Sequence, residues 1–152
     1  MYKKEIFTKL EDDTARLGQC LAKIAKRGDF FALYGTLGVG KSVLARSFVK
    51  ALCGNIEVPS PTFTLLQSYE ARDFDIYHFD LYRIKSPEEI FEIGMEEAVY
   101  SGVSLVEWPE KMGGYVPKDV FKIEISSEKE GRKITISCNS VEKQERLSML
   151  EL

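Results

Sequence analysis

The chain has 152 residues, 44% of them hydrophobic and 30% charged, with a formal net charge of −3. This composition is typical of a globular protein with a core, and it excludes a disordered or collagen-like chain. The length predicts a single domain covering residues 1–152. A slightly acidic protein has no overall positive field, which disfavours tight autonomous binding to nucleic acid.

Cysteine usage and hydropathy indicate the compartment. The three cysteines, Cys20, Cys53 and Cys138, are far apart and odd in number, so neither a metal-type pair nor a closed disulfide framework is expected. No apolar run approaches the roughly 20 residues that span a bilayer. We therefore expect a cytoplasmic protein without a membrane association.

The first half of the chain predicts a helix, a strand, a glycine-rich loop and a second helix. Asp12 and Asp13 can cap a first helix, which should end at Gly28. Residues 30–34 form an unbroken apolar run, typical of a strand buried on both faces. After residues 35–40, an apolar stripe from Ser42 predicts a helix that stops at Gly54.

The second half predicts extended chain interrupted by one broken helix. Residues 62–69 and 74–84 indicate a hairpin, so parallel and antiparallel pairing can coexist. A capped helix should start at Ser86, break near Gly94 and end by Gly102. The remaining predicted elements are strands over 103–108, 119–126 and 132–138 and a closing helix over 141–150.

The glycine-rich loop matches a phosphate-binding motif at every fixed position. Its sequence is Gly35-Thr36-Leu37-Gly38-Val39-Gly40-Lys41-Ser42, which fits G-x-x-x-x-G-K-[ST]. Glycines let backbone N–H groups approach phosphate oxygens, and the start of a helix adds a favourable dipole. Lys41 would reach the outer phosphates, and the Ser42 hydroxyl would bind Mg²⁺. The motif therefore predicts nucleotide binding.

Two acidic residues at strand ends are candidates for holding Mg²⁺ and orienting water. Glu107 follows an apolar strand, at the edge where ligands collect in a parallel sheet. Strand alternation places His78 and Asp80 on one face of the strand that contains them. Taken alone, each carboxylate is more often a solvated charge or an ion-pair partner, and His78 is more often a hydrogen-bonded strand residue.

Four separated blocks together resemble the TsaE family, also called YjeE. They are the loop at 35–42, Ser60-Pro61-Thr62-Phe63-Thr64, His78-Phe79-Asp80-Leu81-Tyr82-Arg83, and Val106-Glu107-Trp108-Pro109-Glu110. The family consists of small bacterial ATPases required for making threonylcarbamoyladenosine in tRNA. The resemblance implies an α/β, P-loop NTPase-like three-layer sandwich, whose central sheet is mixed, mostly parallel, and carries an antiparallel hairpin.

The resemblance also implies roles for individual residues. The implied catalytic residues are Lys41, Asp80 and Glu107. The implied metal-binding residues are Ser42, Asp80 and Glu107. Thr62 would sense the terminal phosphate, and Trp108 would lie beside the nucleotide or a partner surface. The residues implied in binding ATP are Gly35, Thr36, Leu37, Gly38, Val39, Gly40, Lys41, Ser42, Val43, Thr62 and Trp108.

The implied cofactors are ATP and Mg²⁺, and the implied partner is the TsaB–TsaD complex, with tRNA contacted only through that complex. Two positions depart from the family pattern. Ser42 stands where threonine is usual but keeps the hydroxyl, and Thr36 replaces a common acidic residue.

Other functions remain open at this point. A phosphate-binding loop also serves small-molecule kinases, although no arginine-rich lid segment is evident. A GTPase is disfavoured because neither Asn55 nor Asn139 is followed by the lysine of a guanine-reading N-K-x-D element. A module that binds ATP without hydrolysing it, and so gates a protein interface, is the third alternative.

Overall fold

In the part of the chain that the structure describes, seven strands form one sheet, and helices pack on both of its faces. The computed structural model describes residues 1–36, 40–59 and 65–151. Within those ranges no helix is long and apolar enough to cross a bilayer. The strands are β1 (Tyr2–Thr8), β2 (Phe30–Tyr34), β3 (Leu66–Glu70), β4 (Asp75–Asp80), β5 (Val103–Glu107), β6 (Phe121–Glu128) and β7 (Gly131–Cys138). The helices are α1 (Glu11–Ile24), α2 (Lys41–Cys53), α3 (Glu89–Glu92), α4 (Met95–Ser101) and α5 (Val141–Ser148), with a 3₁₀ segment over Pro109–Tyr115.

The sheet is mixed, as predicted, and runs in the order β1-β7-β6-β2-β5-β4-β3. The four middle strands, β6, β2, β5 and β4, run parallel to one another. The outer pairings, β1 with β7, β7 with β6 and β4 with β3, are antiparallel. The predicted parallel character therefore holds for the centre of the sheet, whereas antiparallel strands flank it on both sides.

The edge strand β1 is an element that the sequence pattern did not predict as a strand. Its only strongly apolar residues are Ile6 and Phe7, and its side chains alternate between partly and largely exposed. The strand is fixed by its pairing with β7, which runs from Tyr2 opposite Cys138 to Thr8 opposite Arg132. Because both partners lie at opposite ends of the chain, a local window of sequence does not reveal the pairing.

Side-chain alternation along the central strands builds two cores, one on each face of the sheet. Phe31 and Leu33 face α1, α2 and α5, and pack among the buried residues of those helices. Phe30 and Ala32 face the other way and pack with α3, α4 and the 3₁₀ segment. The predicted three-layer arrangement of helices, sheet and helices is confirmed.

Two predicted element ends differ from the structure by about four residues. Helix α1 ends at Ile24, and Gly28 lies in the following turn with a φ of 90°. Strand β4 ends at Asp80 instead of continuing to residue 84, because the chain turns there and the Asp80 carboxylate accepts the Tyr82 N–H. The predicted helix break is confirmed at Gly94, where φ is 76°. Residues 62–64 of the predicted strand lie outside the described residues.

A buried ion cluster fixes α5 against the start of β2. The Arg146 guanidinium donates to both carboxylate oxygens of Asp29, at 2.6 and 2.8 Å, and to the Ile24 carbonyl at 2.7 Å. Burial alone would lower the pKa of Arg146, but its hydrogen bonds to Asp29 and Glu142 outweigh burial and raise it. The arginine therefore stays charged and ties α5 to the end of α1 and the entry of β2.

Helix α1 approaches α2 most closely at Gly18, and α2 carries the phosphate-binding motif at its start. A Cβ atom built on Gly18 would lie 2.0 Å from the Ser47 hydroxyl oxygen and 2.5 Å from the Leu44 carbonyl oxygen. The Leu44 oxygen is backbone and cannot rotate away. The absence of a side chain at Gly18 therefore sets the distance between the two helices.

Gly18→Ala should destabilise the protein, although alanine in place of glycine normally stabilises a helix by about 1 kcal/mol. Overpacking against the α2 backbone costs about 1–3 kcal/mol and should outweigh that gain. Chemical denaturation of both proteins measures the difference. Gly114→Ala is the matched control, because nothing lies within 4 Å of the added methyl group. A Gly18→Ala protein as stable as the parent would contradict this account of the packing.

Candidate functional site

The start of α2 lies at the end of the buried strand β2, as the motif predicts. Gly40 precedes the helix with a φ of 111°, a left-handed conformation that glycine adopts readily. The first N–H groups of a helix have no partner within it, so the first turn of α2 presents free donors and the positive end of the dipole. The motif residues Leu37, Gly38 and Val39 lie outside the described residues.

The Lys41 side chain folds back over the motif and is only 4% exposed. Its ammonium nitrogen donates to the Gly35 carbonyl at 2.7 Å and lies 3.6 Å from the centre of the Trp108 ring. Burial lowers the pKa of Lys41, while the negative charges of Glu107, Glu110 and Asp80 oppose that shift. The ammonium group thus lies in a low-dielectric site that is surrounded by acidic side chains.

Trp108 takes this position because its backbone is left-handed, with φ of 59° and ψ of 49°. Such a conformation costs an L-residue about 1–2 kcal/mol, and the contacts of the ring must offset that cost. One contact is the Lys41 cation, and a second is the Tyr82 ring, whose centre lies 5.0 Å away. The turn after β5 therefore places an aromatic ring beside the phosphate-binding lysine.

The two predicted carboxylates meet at the carboxyl ends of neighbouring strands. Asp80 ends β4 and Glu107 ends β5, and parallel pairing sets the two residues opposite each other. Both are buried, at 6% and 4% exposure. Asp80 accepts the Tyr82 N–H at 3.0 Å, and a Glu107 oxygen lies 2.6 Å from His78 Nε2. Both His78 and Asp80 are therefore next to Glu107, which agrees with the prediction that they share one face of β4.

These residues line one cleft with a volume of about 340 Å³. Such a volume falls in the range of small-molecule sites. The predicted residues that line it are Gly40, Lys41, Ser42, Val43, Asp80, Glu107 and Trp108. Gly35 and Thr36 are described at the end of β2 but do not line the cleft, and Thr62 lies outside the described residues.

Other residues that line the cleft were missed by sequence reasoning. They come from the turn between β1 and α1 and from the start of β7: Thr8, Lys9, Leu10, Glu11, Thr14, Gly131 and Arg132. The pairing of Thr8 with Arg132 brings the two segments together. No local motif marks either segment, and only the long-range pairing of β1 with β7 could have revealed them.

The oxygen donors of the cleft suit a hard cation. Ser42, Asp80 and Glu107 contribute a hydroxyl and two carboxylates, which are groups that Mg²⁺ prefers. Among the described residues, no group of three or more His, Cys, Asp or Glu side chains could form a metal site by itself. A magnesium ion here would need ligand oxygens from a bound phosphate, as is usual for Mg²⁺ at nucleotide sites.

Comparisons with known proteins agree with the fold and identify a family. A family model described as "Threonylcarbamoyl adenosine biosynthesis protein TsaE" matches residues 8–134. The tRNA threonylcarbamoyladenosine biosynthesis protein TsaE of Rickettsia conorii is 38% identical over 143 residues, which cover 93% of this chain and 82% of that protein. The TsaE protein of Treponema pallidum is 36% identical over 127 residues, covering 82% and 93%.

A solved structure gives the same fold. The crystal structure of YdiB from Bacillus subtilis superposes with a TM-score of 0.83 at 26% sequence identity, covering 98% of this chain and 94% of that one. The agreement extends over nearly all of both chains. It confirms the mixed α/β sheet with flanking helices.

The contact between Lys41 and Trp108 can be tested without a ligand. Because Trp108 is the only tryptophan, fluorescence that is excited beyond the absorption band of tyrosine reports on Trp108 alone. Lys41→Ala uncovers one face of the ring and should increase quenching by acrylamide. Lys50→Ala, an exposed lysine on the same helix, is the control and should leave quenching unchanged. Equal quenching in the parent and Lys41→Ala would show that the contact is absent in solution.

Proposed function

The chain belongs to the TsaE family, and from that premise we propose that it is a magnesium-dependent ATPase acting with the TsaB–TsaD complex in threonylcarbamoyladenosine modification of tRNA. One observation carries the ATPase proposal. The start of α2, the Lys41 ammonium group and the carboxylates of Asp80 and Glu107 all line the same cleft. A cation, free backbone donors and two acidic groups in one cleft are the groups that phosphoryl transfer from a nucleotide uses.

The phosphates of ATP would bind at the start of α2. The N–H groups of its first turn and the Lys41 ammonium group supply the positive charge that phosphate oxygens need. Lys41 would exchange its contact with the Gly35 carbonyl for a phosphate oxygen, a much stronger acceptor because it is charged. The nucleoside would extend toward Leu10 and Arg132, which offer the cleft an apolar and a cationic side chain.

Magnesium would be held by the Ser42 hydroxyl together with phosphate oxygens, with Asp80 and Glu107 completing the site directly or through water. When bound, Mg²⁺ would neutralise negative charge that develops on the phosphate oxygens during transfer. Asp80 is oriented for this role by the N–H of Tyr82, which binds one of its oxygens. The serine at position 42 retains the hydroxyl that the role requires.

Glu107 would be the acidic residue for hydrolysis. A carboxylate at the end of β5 can accept a hydrogen bond from a water molecule and orient it toward the terminal phosphate. Its burial excludes bulk water and strengthens that hydrogen bond. Hydrolysis then breaks the bond to the terminal phosphoryl group, and the attacking water provides the oxygen that replaces it.

The partner assignment rests on the family. The relatives' names place them in the biosynthesis of threonylcarbamoyladenosine in tRNA, and such a role is consistent with a cytoplasmic location. A net charge of −3 gives this chain no general attraction for an RNA backbone. We therefore assign the tRNA-binding surface to TsaB–TsaD, and ATP hydrolysis by this chain would reset that complex between modification cycles.

ATP turnover should depend on both sides of the cleft. Lys41→Ala should abolish detectable turnover because phosphate binding is lost. Glu107→Gln should keep ATP binding but lower turnover by about 100-fold, the size of a general-base contribution. Turnover of the parent protein should rise when purified TsaB and TsaD are added. Phosphate release and equilibrium ATP binding measure these effects, with Lys50→Ala as the matched control.

Three results would contradict the proposal. Undiminished turnover in Lys41→Ala would reject the site. ATP consumption that rises only with a small hydroxyl-bearing acceptor would indicate a kinase. ATP-dependent complex formation and full biological activity in Glu107→Gln would indicate a module that is gated by ATP without hydrolysing it.

A further inference from the structure

The only histidine of the chain lies behind Glu107 as seen from the cleft. His78 is 2% exposed, and its Nε2 atom lies 2.6 Å from Oε2 of Glu107. Glu107 lines the cleft, whereas His78 does not. The two residues belong to neighbouring strands, and Leu105 is the residue directly opposite His78. The histidine therefore reaches Glu107 diagonally across the sheet, from its buried side.

The chemistry of the contact fixes its direction. An ionised carboxylate has no proton to donate, so the short contact requires a proton on Nε2 that is donated to Glu107. The other ring nitrogen, Nδ1, is buried and has no hydrogen-bond partner within the part of the chain that the structure describes. A buried polar atom without a partner destabilises a fold. The imidazole ring therefore makes its hydrogen bond to Glu107 through Nε2. The unpartnered Nδ1 atom lowers the stability of the fold.

Glu107 needs such a partner because its surroundings would otherwise allow several orientations. A glutamate side chain has three rotatable bonds, and Glu107 lies within the electrostatic influence of the Lys41 cation and opposite Asp80 on the neighbouring strand. Attraction to the first and repulsion from the second vary with what occupies the cleft. A hydrogen bond from the rigid, buried imidazole does not vary in this way, and it holds one carboxylate oxygen in place.

We propose that His78 is the positioning residue for Glu107: by donating Nε2–H to Oε2, it fixes the carboxylate so that the other oxygen serves the ligands of the cleft. This inference rests on the proposed role of Glu107 in hydrolysis. Hydrogen bonds of this kind orient functional carboxylates and metal ligands, and their removal typically lowers activity by 10–100-fold. His78 itself contacts neither the nucleotide nor the metal.

The kinetic test compares three variants. His78→Ala should lower kcat by about 10-fold or more and leave the KM and the equilibrium affinity for ATP within about two-fold of the parent. His78→Gln should recover most of kcat, because a side-chain amide N–H can replace the Nε2 donor. Ile76→Val, a buried residue on the same face of β4, is the control for a packing defect. It should leave kcat unchanged.

A second readout needs neither nucleotide nor metal. Because the chain has one histidine, its imidazole signals in a long-range ¹H–¹⁵N NMR spectrum are assigned without ambiguity. The Nε2 proton should appear as a slowly exchanging, downfield-shifted signal. Glu107→Ala should shift it upfield and speed its exchange, whereas Ile76→Val should not. This spectrum tests the hydrogen bond between His78 and Glu107 even if the His78→Ala protein does not fold.

The outcomes separate this inference from the function on which it rests. Full kcat in His78→Ala, while Glu107→Gln is impaired, overturns the positioning role alone. The same conclusion follows if His78→Gln is as slow as His78→Ala, or if the Nε2 signal is indifferent to Glu107→Ala. Full turnover in Glu107→Gln removes the hydrolytic role of Glu107, and the positioning role with it.

Discussion

The parallel register of β2, β5 and β4 is the constraint on which the rest of the site depends. It sets Leu33 beside Glu107 and Glu107 beside Asp80, so three strands end at the same edge of the sheet. The chain that leaves β2 enters the motif, and the chains that leave β4 and β5 carry the acidic residues. Separated parts of the sequence thereby meet, and the rings of Tyr82 and Trp108 pack together where the chain leaves β4 and β5. Side-chain alternation then decides which residues face α1 and α2.

The same geometry buries several charged side chains, and their interactions within the site offset the cost of burying them. Lys41, Asp80 and Glu107 are all buried, and burial of a charge is costly unless it is paired. The Lys41 cation lies among the acidic groups and against the Trp108 ring, while Asp80 and Glu107 each accept a hydrogen bond from a neighbouring residue. The charges therefore compensate one another before any ligand arrives, which leaves the site organised but able to exchange contacts for a phosphate.

Local patterns predicted the centre of the molecule well. The apolar run of β2, the stripe of α2 and the two-residue alternation of β4 are properties of short windows, and each appears in the structure. The sequence did not predict the edge strand β1 or the cleft residues next to it, because both depend on the pairing of β1 with the distant strand β7. The contact of Lys41 with Trp108 depends on a left-handed backbone, which no pattern predicts for a tryptophan.

The pairing of the first strand with the penultimate element also affects how the protein can form during synthesis. Strand β1 emerges first, but its partner β7 begins at Gly131. At about 5–20 residues per second, the ribosome needs on the order of 10 s to add the intervening chain. Only then can Thr8 pair with Arg132, so that both residues line the cleft. A nascent or truncated chain that contains the whole motif but not β7 therefore lacks the part of the binding site that the pairing of β1 with β7 supplies.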